Sequence, residues 1–220
     1  MILFSDIQAN SSQRIVEIRE YLDFIAPLIP APPDAPPRYL NTAKGLIFVQ
    51  LYGVIEYTVG SAIAKCISYI NSESVKLSDV KPIIMGMALS PELDALIQVS
   101  SKKWDKRYDV FYKVEQDIVV SILNDIIPTD GSNIHYAQLE SIWKTFCLTD
   151  PIFHDNSFRG RLTDIVSNRV NITHGNLSAA DIGVRVTIQE LKDRLNEVSA
   201  FCTYFISVLE DYIVKKKYMK

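Results

Sequence analysis

The 220 residues, 48% hydrophobic and 22% charged, suffice for one sizeable buried core and fit a soluble globular chain. A formal net charge of −3 excludes a broad cationic footprint, so a polyanion would have to be held by a local patch. The three cysteines (Cys66, Cys147, Cys202) are odd in number and lack C-x-x-C spacing, which speaks for reduced thiols; the opening Met1-Ile2-Leu3-Phe4-Ser5-Asp6 lacks the basic and apolar regions of a secretory signal, so a cytoplasmic location is expected.

In chain order, Gln13 to Ile25 places Ile15, Ile18, Tyr21, Leu22 and Ile25 on one stripe and predicts an amphipathic helix. Prolines at 27, 30, 32, 33, 36 and 37 then forbid helix and predict an extended connector. Pro30 to Pro33 also fits the P-x-x-P ligand pattern, but a stiff link between helices is the simpler reading. Residues 1–37 are thus expected to form an N-terminal extension to a helical domain over 38–220.

A long helix is predicted from about Tyr39 to Asn71. Between Lys44 and Lys65 its only charge is Glu56, and the apolar length would span a bilayer. A carboxylate near mid-bilayer costs about 2.5–3.5 kcal/mol, and the helical pattern continues on both sides. The expectation is therefore the central helix of a bundle and no membrane. Gly53, Gly60 and Ala64, about two turns apart, suggest a face that a neighbouring helix approaches closely.

Val75 to Leu89 is weakly patterned and interrupted by Pro82. Ser90-Pro91-Glu92 reads as N-cap, first-position proline and first-turn acid, opening a helical region toward Leu123 with a break near Ser100-Ser101. Asp130-Gly131 reads as a turn and Ile134 to Phe146 as a shorter helix. Asn156-Ser157 can cap the next helix, whose Leu162, Ile165, Val166 and Val170 share a face. Thr187 to Glu190 is a capping box. Behind it Ile188, Leu191, Leu195, Val198, Cys202, Phe205, Leu209 and Tyr212 step by 3,4,3,4,3,4,3, a heptad seam that fits either a bundle interior or a dimer. The fold class expected is all-α, a helical bundle of four to five long helices with short additional helices.

The chemistry concentrates in Asn168-Arg169-Val170-Asn171-Ile172-Thr173-His174-Gly175. A glycine in the position that terminates helices places Arg169 and His174 at a helix end. Arginine grips a phosphodiester through paired donors, and histidine moves protons near neutral pH. Residues five apart on a regular helix lie about 140° apart around the axis, so the two do not share one face. In isolation the pair also fits an ordinary helix terminus, with His174 on orphan carbonyls and Arg169 paired to an acid.

The Arg-x4-His pattern followed by Gly175, at the end of the penultimate helix, resembles the HEPN superfamily. Leu51-Tyr52-Gly53-Val54-Ile55-Glu56-Tyr57-Thr58-Val59 looks like the second-helix signature of stand-alone bacterial HEPN proteins. Gly175 to Ser178, Ile182-Gly183, Thr187-Ile188 and a long helix ending in Tyr212-Ile213 and Tyr218 follow the same group, over roughly residues 40 to 220. The resemblance implies a metal-independent endoribonuclease, used as a toxin or antiviral-defence effector and working as a homodimer with a composite site. It implies Arg169 and His174 as catalytic residues, RNA as substrate and a possible cognate antitoxin protein. The family places a polar residue after the arginine, where this chain has Val170. A non-catalytic HEPN module that binds RNA or protein is the alternative.

Around the motif, Asn168 or Asn171 could supply the missing polar group, and Asn171 could orient the His174 ring. Glu56, with Tyr52 four residues earlier on the same face, could orient Arg169 or His174, or be a buried carboxylate satisfied locally. Lys102, Lys103, Lys106 and Arg107 around Trp104 and Tyr108 suit stacking on single-stranded RNA; a solvated helix face with a half-buried Trp is the plainer reading. Arg159 and Arg161 could extend a phosphate track. His135 and His154 have no companions at metal-ligand spacing, so neither metal nor cofactor is expected.

Overall fold

The computed structural model describes residues 3–123, 128 and 133–220, and among them it is all-helical with two isolated bridges, Lys76 to Val119 and Val80 to Met219. The predicted Asp130-Gly131 turn lies outside the described residues. The helices are α1 (Ser5–Ile25), α2 (Arg38–Ser72), α3 (Pro82–Ala88), α4 (Ser90–Gln98), α5 (Lys103–Glu115), α6 (Tyr136–Thr145), α7 (Phe158–Thr173), α8 (Ala179–Gly183) and α9 (Ile188–Val214).

α2 is the centre. It is long and apolar enough to cross a bilayer by length and composition, yet 18 of its 35 residues are buried in the chain's own core. α1, α7, α8 and α9 wrap it. Its apolar residues point all around the axis, which is the pattern of a core helix.

The α9 seam settles inward. Leu191, Leu195, Val198, Cys202, Phe205, Leu209 and Tyr212 are buried against the rest of the chain and Ile188 packs at its margin, so this face is an intramolecular one. The capping box forms as read from the sequence: the Thr187 hydroxyl accepts from the Glu190 amide at 3.1 Å, and the Glu190 carboxylate accepts from the Thr187 amide at 2.7 Å. Ser178 and Asp181 repeat the device at α8.

Other boundaries differ for local reasons. α1 begins at Ser5, eight residues before the amphipathic stripe, because Phe4, Ile7 and Ser11 are also buried. The proline segment is not wholly extended: Ala26–Leu28 makes one 3-10 turn before it, with Pro27 where a missing N–H costs nothing. Leu89, not Ser90, caps α4, and the Ser90 hydroxyl donates to Asp94. The region toward Leu123 stops being helical after Glu115, since the Leu77 amide bonds the Ile118 carbonyl at 3.0 Å and Asn71 clasps both polar groups of Ile122 at 2.8 Å. Ser157 offers α7 no side-chain cap; Asp155 does the nearby work by accepting from the Ser157 amide at 2.9 Å.

The close helix approach exists, but not at Gly53, where an added Cβ would meet nothing within 4 Å. It lies at Gly45 and Gly183. A Cβ at Gly45 would stand 1.9 Å from the Ala179 carbonyl oxygen, and one at Gly183 would stand 1.8 Å from that of Asn41. α8 therefore lies on α2 backbone to backbone, and this contact fixes the turn leading out of α7.

Gly45→Ala or Gly183→Ala should cost 1–3 kcal/mol or more by overpacking, whereas Gly53→Ala should stabilise by about 0.5–1 kcal/mol through helix propensity; urea denaturation of the three variants checks this. A pH effect follows from the two capping boxes. The Ser178 hydroxyl holds the Asp181 carboxyl below its ordinary 3.8, and the Thr187 amide holds that of Glu190 below 4.5. Because the folded-state values are depressed, this stabilisation is complete above the unfolded values and is lost as pH falls through the folded ones. Thermal melts from pH 7 down to pH 3 should fall in that lower range, and less steeply in Glu190→Gln, which has no carboxyl to titrate.

Candidate functional site at the end of the seventh helix

α7 ends where the motif requires. Thr173 is its last residue, His174 is the C-cap, and Gly175 takes φ +73°, the left-handed conformation that glycine adopts without strain. The Gly175 amide bonds the Ile172 carbonyl at 3.2 Å, and the Leu177 amide bonds that of Asn171 at 3.2 Å, so the last carbonyls are partly consumed by the backbone.

Arg169 points toward α2. Its guanidinium donates to Asn133 Oδ1 at 3.0 Å and lies over the Tyr52 ring, 4.7 Å from the centroid. Tyr52 is buried, and its hydroxyl accepts from the Ile134 amide at 3.1 Å while lying 3.3 Å from Glu56 Oε1 and 3.4 Å from Asn133 Oδ1. A phenol has one proton, so it donates to one of these two oxygens at a time. Burial pushes the Tyr52 pKa up, which keeps the hydroxyl protonated.

The consequence is electrostatic. Two neighbouring arginines are neutralised, Arg161 of α7 by Glu197 and Arg194 of α9 by Asp164, while Arg159 of α7, like Arg169, lies on an aromatic ring. Among the described residues, Arg169 has only a neutral amide and a neutral ring as partners. Among these residues its charge is held in place and not cancelled. His174 is exposed beside it in sequence, and its ring makes no hydrogen bond among the described residues.

Residues 2–218 match the model of the HEPN_MAE_28990-like HEPN family. The chain belongs to this family. No curated protein and no solved structure matches it. The match takes in α1 and the proline segment along with the bundle of this HEPN chain.

The remaining sequence-predicted residues divide sharply. Glu56 is neither buried nor in contact with Arg169: it is exposed and reaches the arginine only through Tyr52. Asn168 turns back along α7, donating to Asp164 Oδ1 at 2.8 Å and to the Asp164 carbonyl, because Arg194 holds that carboxylate at 3.0 Å from α9. The Asn171 side chain makes no hydrogen bond to His174 among the described residues, while Val170 packs at the margin of the core. Arg161 is committed to Glu197, which raises its pKa further. Arg159 stacks over Tyr136 at 3.8 Å and lies about 15 Å along the axis from Arg169.

Lys102, Lys103 and Arg107 belong to a different part of this HEPN chain. The segment after α5 is tied to Asn71, about 28 Å along α2 from Tyr52. Trp104 is 76% exposed, contrary to the half-buried expectation, with Tyr108 at 65% and Phe111 at 71% on the same stripe. Arg107 caps the Trp104 ring at 4.5 Å, and Lys106 pairs with Asp109.

Asn133 is the functional neighbour that the sequence did not disclose. It lies 36 residues from Arg169 and 81 from Tyr52, and nothing local marks it. Tyr52→Phe should leave the buried Ile134 amide without an acceptor and cost about 1–3 kcal/mol. Chemical denaturation of Tyr52→Phe beside Tyr57→Phe, whose hydroxyl has no such role, checks the assignment.

Proposed function

We propose that this HEPN chain is an endoribonuclease that works as a homodimer, with the Arg169–Gly175 ends of two copies facing each other across a two-fold axis. The observation that carries the reading is the positioned Arg169 guanidinium, without a carboxylate partner among the described residues, at the same helix end as an exposed histidine. A phosphodiester supplies the charge that Arg169 lacks, through the paired donors suited to phosphate oxygens. Two copies place two histidines in one cleft and let the Arg169 of one meet the His174 of the other, which lie about 140° apart on a single helix.

The chemistry is transesterification. One His174 removes the proton from the ribose 2′-hydroxyl, the 2′-oxygen attacks phosphorus, and the bond from phosphorus to the 5′-oxygen breaks. The second, protonated His174 delivers its proton to that leaving oxygen. Arg169 stabilises the charge that builds on the non-bridging oxygens. The products are a 2′,3′-cyclic phosphate and a 5′-hydroxyl. Lys102, Lys103, Arg107 and the exposed α5 rings would hold single-stranded segments away from the cleft. In the cell, such an activity suits a cytoplasmic toxin or antiviral-defence effector restrained by a cognate antitoxin protein.

A second reading has its own observation. Val170 packs at the core margin where the family carries a polar residue, and Asn168 is turned away to Asp164. On that reading the chain is a binding module that has lost its chemistry.

Incubating wild type with labelled single-stranded RNA in EDTA separates the two. The nuclease reading expects cleavage in EDTA, loss of at least 100-fold in His174→Ala with RNA affinity kept, and an intact substrate when the scissile ribose is 2′-deoxy. Uncut RNA with wild type, together with weaker binding by Arg169→Ala, would establish the module instead. Light scattering that gives 24.9 kDa at high micromolar concentration would sink the composite cleft.

A further inference from the structure

Lys44 is a charged side chain with no place in the chemistry above. It sits on α2 two turns before Tyr52 and is only 5% exposed. Its ammonium has three protons to donate, and the protein supplies one acceptor, the Val186 carbonyl at 2.9 Å. No carboxylate pairs with it among the described residues. Glu190 attracts it from a distance, but that carboxylate is already occupied by Thr187 in the capping box. Burial accordingly pushes the Lys44 pKa down.

Lys44 lines a cleft of about 520 Å³ between the proline segment and the turn joining α8 to α9, and its ammonium is held on the Val186 carbonyl of that lining. That volume is ordinary for a small-molecule site. Much of the lining is apolar, with Ile29, Pro30 and Pro36 on one side and Val184 and Ile188 on the other. Val184 stands 63% exposed at this cleft. A second cation, Arg185, also lines it, against a single carboxylate, Asp34.

A strut for the α8–α9 turn needs one hydrogen bond and no cavity, and any neutral donor would serve. A buried ammonium with one acceptor among the described residues, beside an apolar cleft with a second cation, fits a ligand that has a negative head and a greasy body. We propose that this cleft binds an amphiphilic anion, a carboxylate or phosphate carried on an apolar chain. The head bonds Lys44 and Arg185, and the chain lies along the prolines and Val184. This assignment is independent of the nuclease reading, because the cleft shares no residue with the Arg169 site.

Isothermal titration calorimetry of the full chain with octanoate, octyl phosphate and 1-octanol tests it. The expected result is one equivalent of octanoate or octyl phosphate, at least tenfold tighter than 1-octanol; which of the two anions binds better identifies the head. Lys44→Met should reduce both anions to the affinity of 1-octanol, and Val184→Trp, which fills the cleft, should abolish all three. The proposal is overturned if neither anion binds, if octanoate and 1-octanol bind alike, or if several equivalents bind as on a detergent-coated surface. It is equally overturned if Lys44→Met keeps its preference for the anion. Should Lys44→Met fail to fold, Val184→Trp decides alone, since anion binding that survives it cannot be in this cleft.

Discussion

A 35-residue helix with apolar side chains around most of its circumference cannot leave a long face in water, and the rest of this chain is arranged to meet that constraint. Burial of its side chains supplies the principal driving force, at about 25 cal/mol for each Å² of apolar surface removed from water. α1 and α9 take the sides that the heptad seam matches, while α7 and α8 close the part near Gly45. The few polar groups that α2 carries inward then become fixed points. Tyr52 and Lys44 are two of them, and each marks a place where the bundle is more than packing.

The Arg169 surroundings illustrate how a helical core can position a charge without spending it. An arginine held by a carboxylate is well ordered but neutralised; an arginine in water is charged but mobile. Here the ring of Tyr52 and the amide of Asn133 provide order, while Glu56 is one step removed behind the Tyr52 hydroxyl. The buried face of α7, Phe158, Leu162, Ile165 and Val166, is turned into the core, and ion pairs through Arg161 and Arg194 join the helix to α9.

How much of this was legible in the sequence depended on the range of the interaction. The α9 cap and seam were readable because both are patterns within one helix, and the end of α7 was readable because Gly175 terminates it locally. Lengths failed where tertiary contacts intervened, as when Asn71 reaches across to Ile122 and the chain after Glu115 becomes extended. Gly53 was misjudged for the same reason. Spacing drew attention to Gly53, but what requires a glycine is a backbone lying against it, and α8, far along the chain, does so at Gly45. At the site, Arg169, His174 and Tyr52 stood out as residue types in a pattern. Asn133 did not, since an asparagine in a connecting segment is unremarkable until the fold brings it to the guanidinium.

The seating of α8 on α2 has a mechanical side. Packed side chains absorb small displacements by changing rotamer, but at Gly45 and Gly183 carbonyl faces Cα with no torsion between them. α8 is five residues long, with the turn out of α7 at one end and Arg185-Val186 at the other. Such a segment has one hard seat on α2 and little freedom to settle closer. A side chain at either glycine would have no torsion through which to yield, so relief would have to come from lifting the whole of α8 off α2.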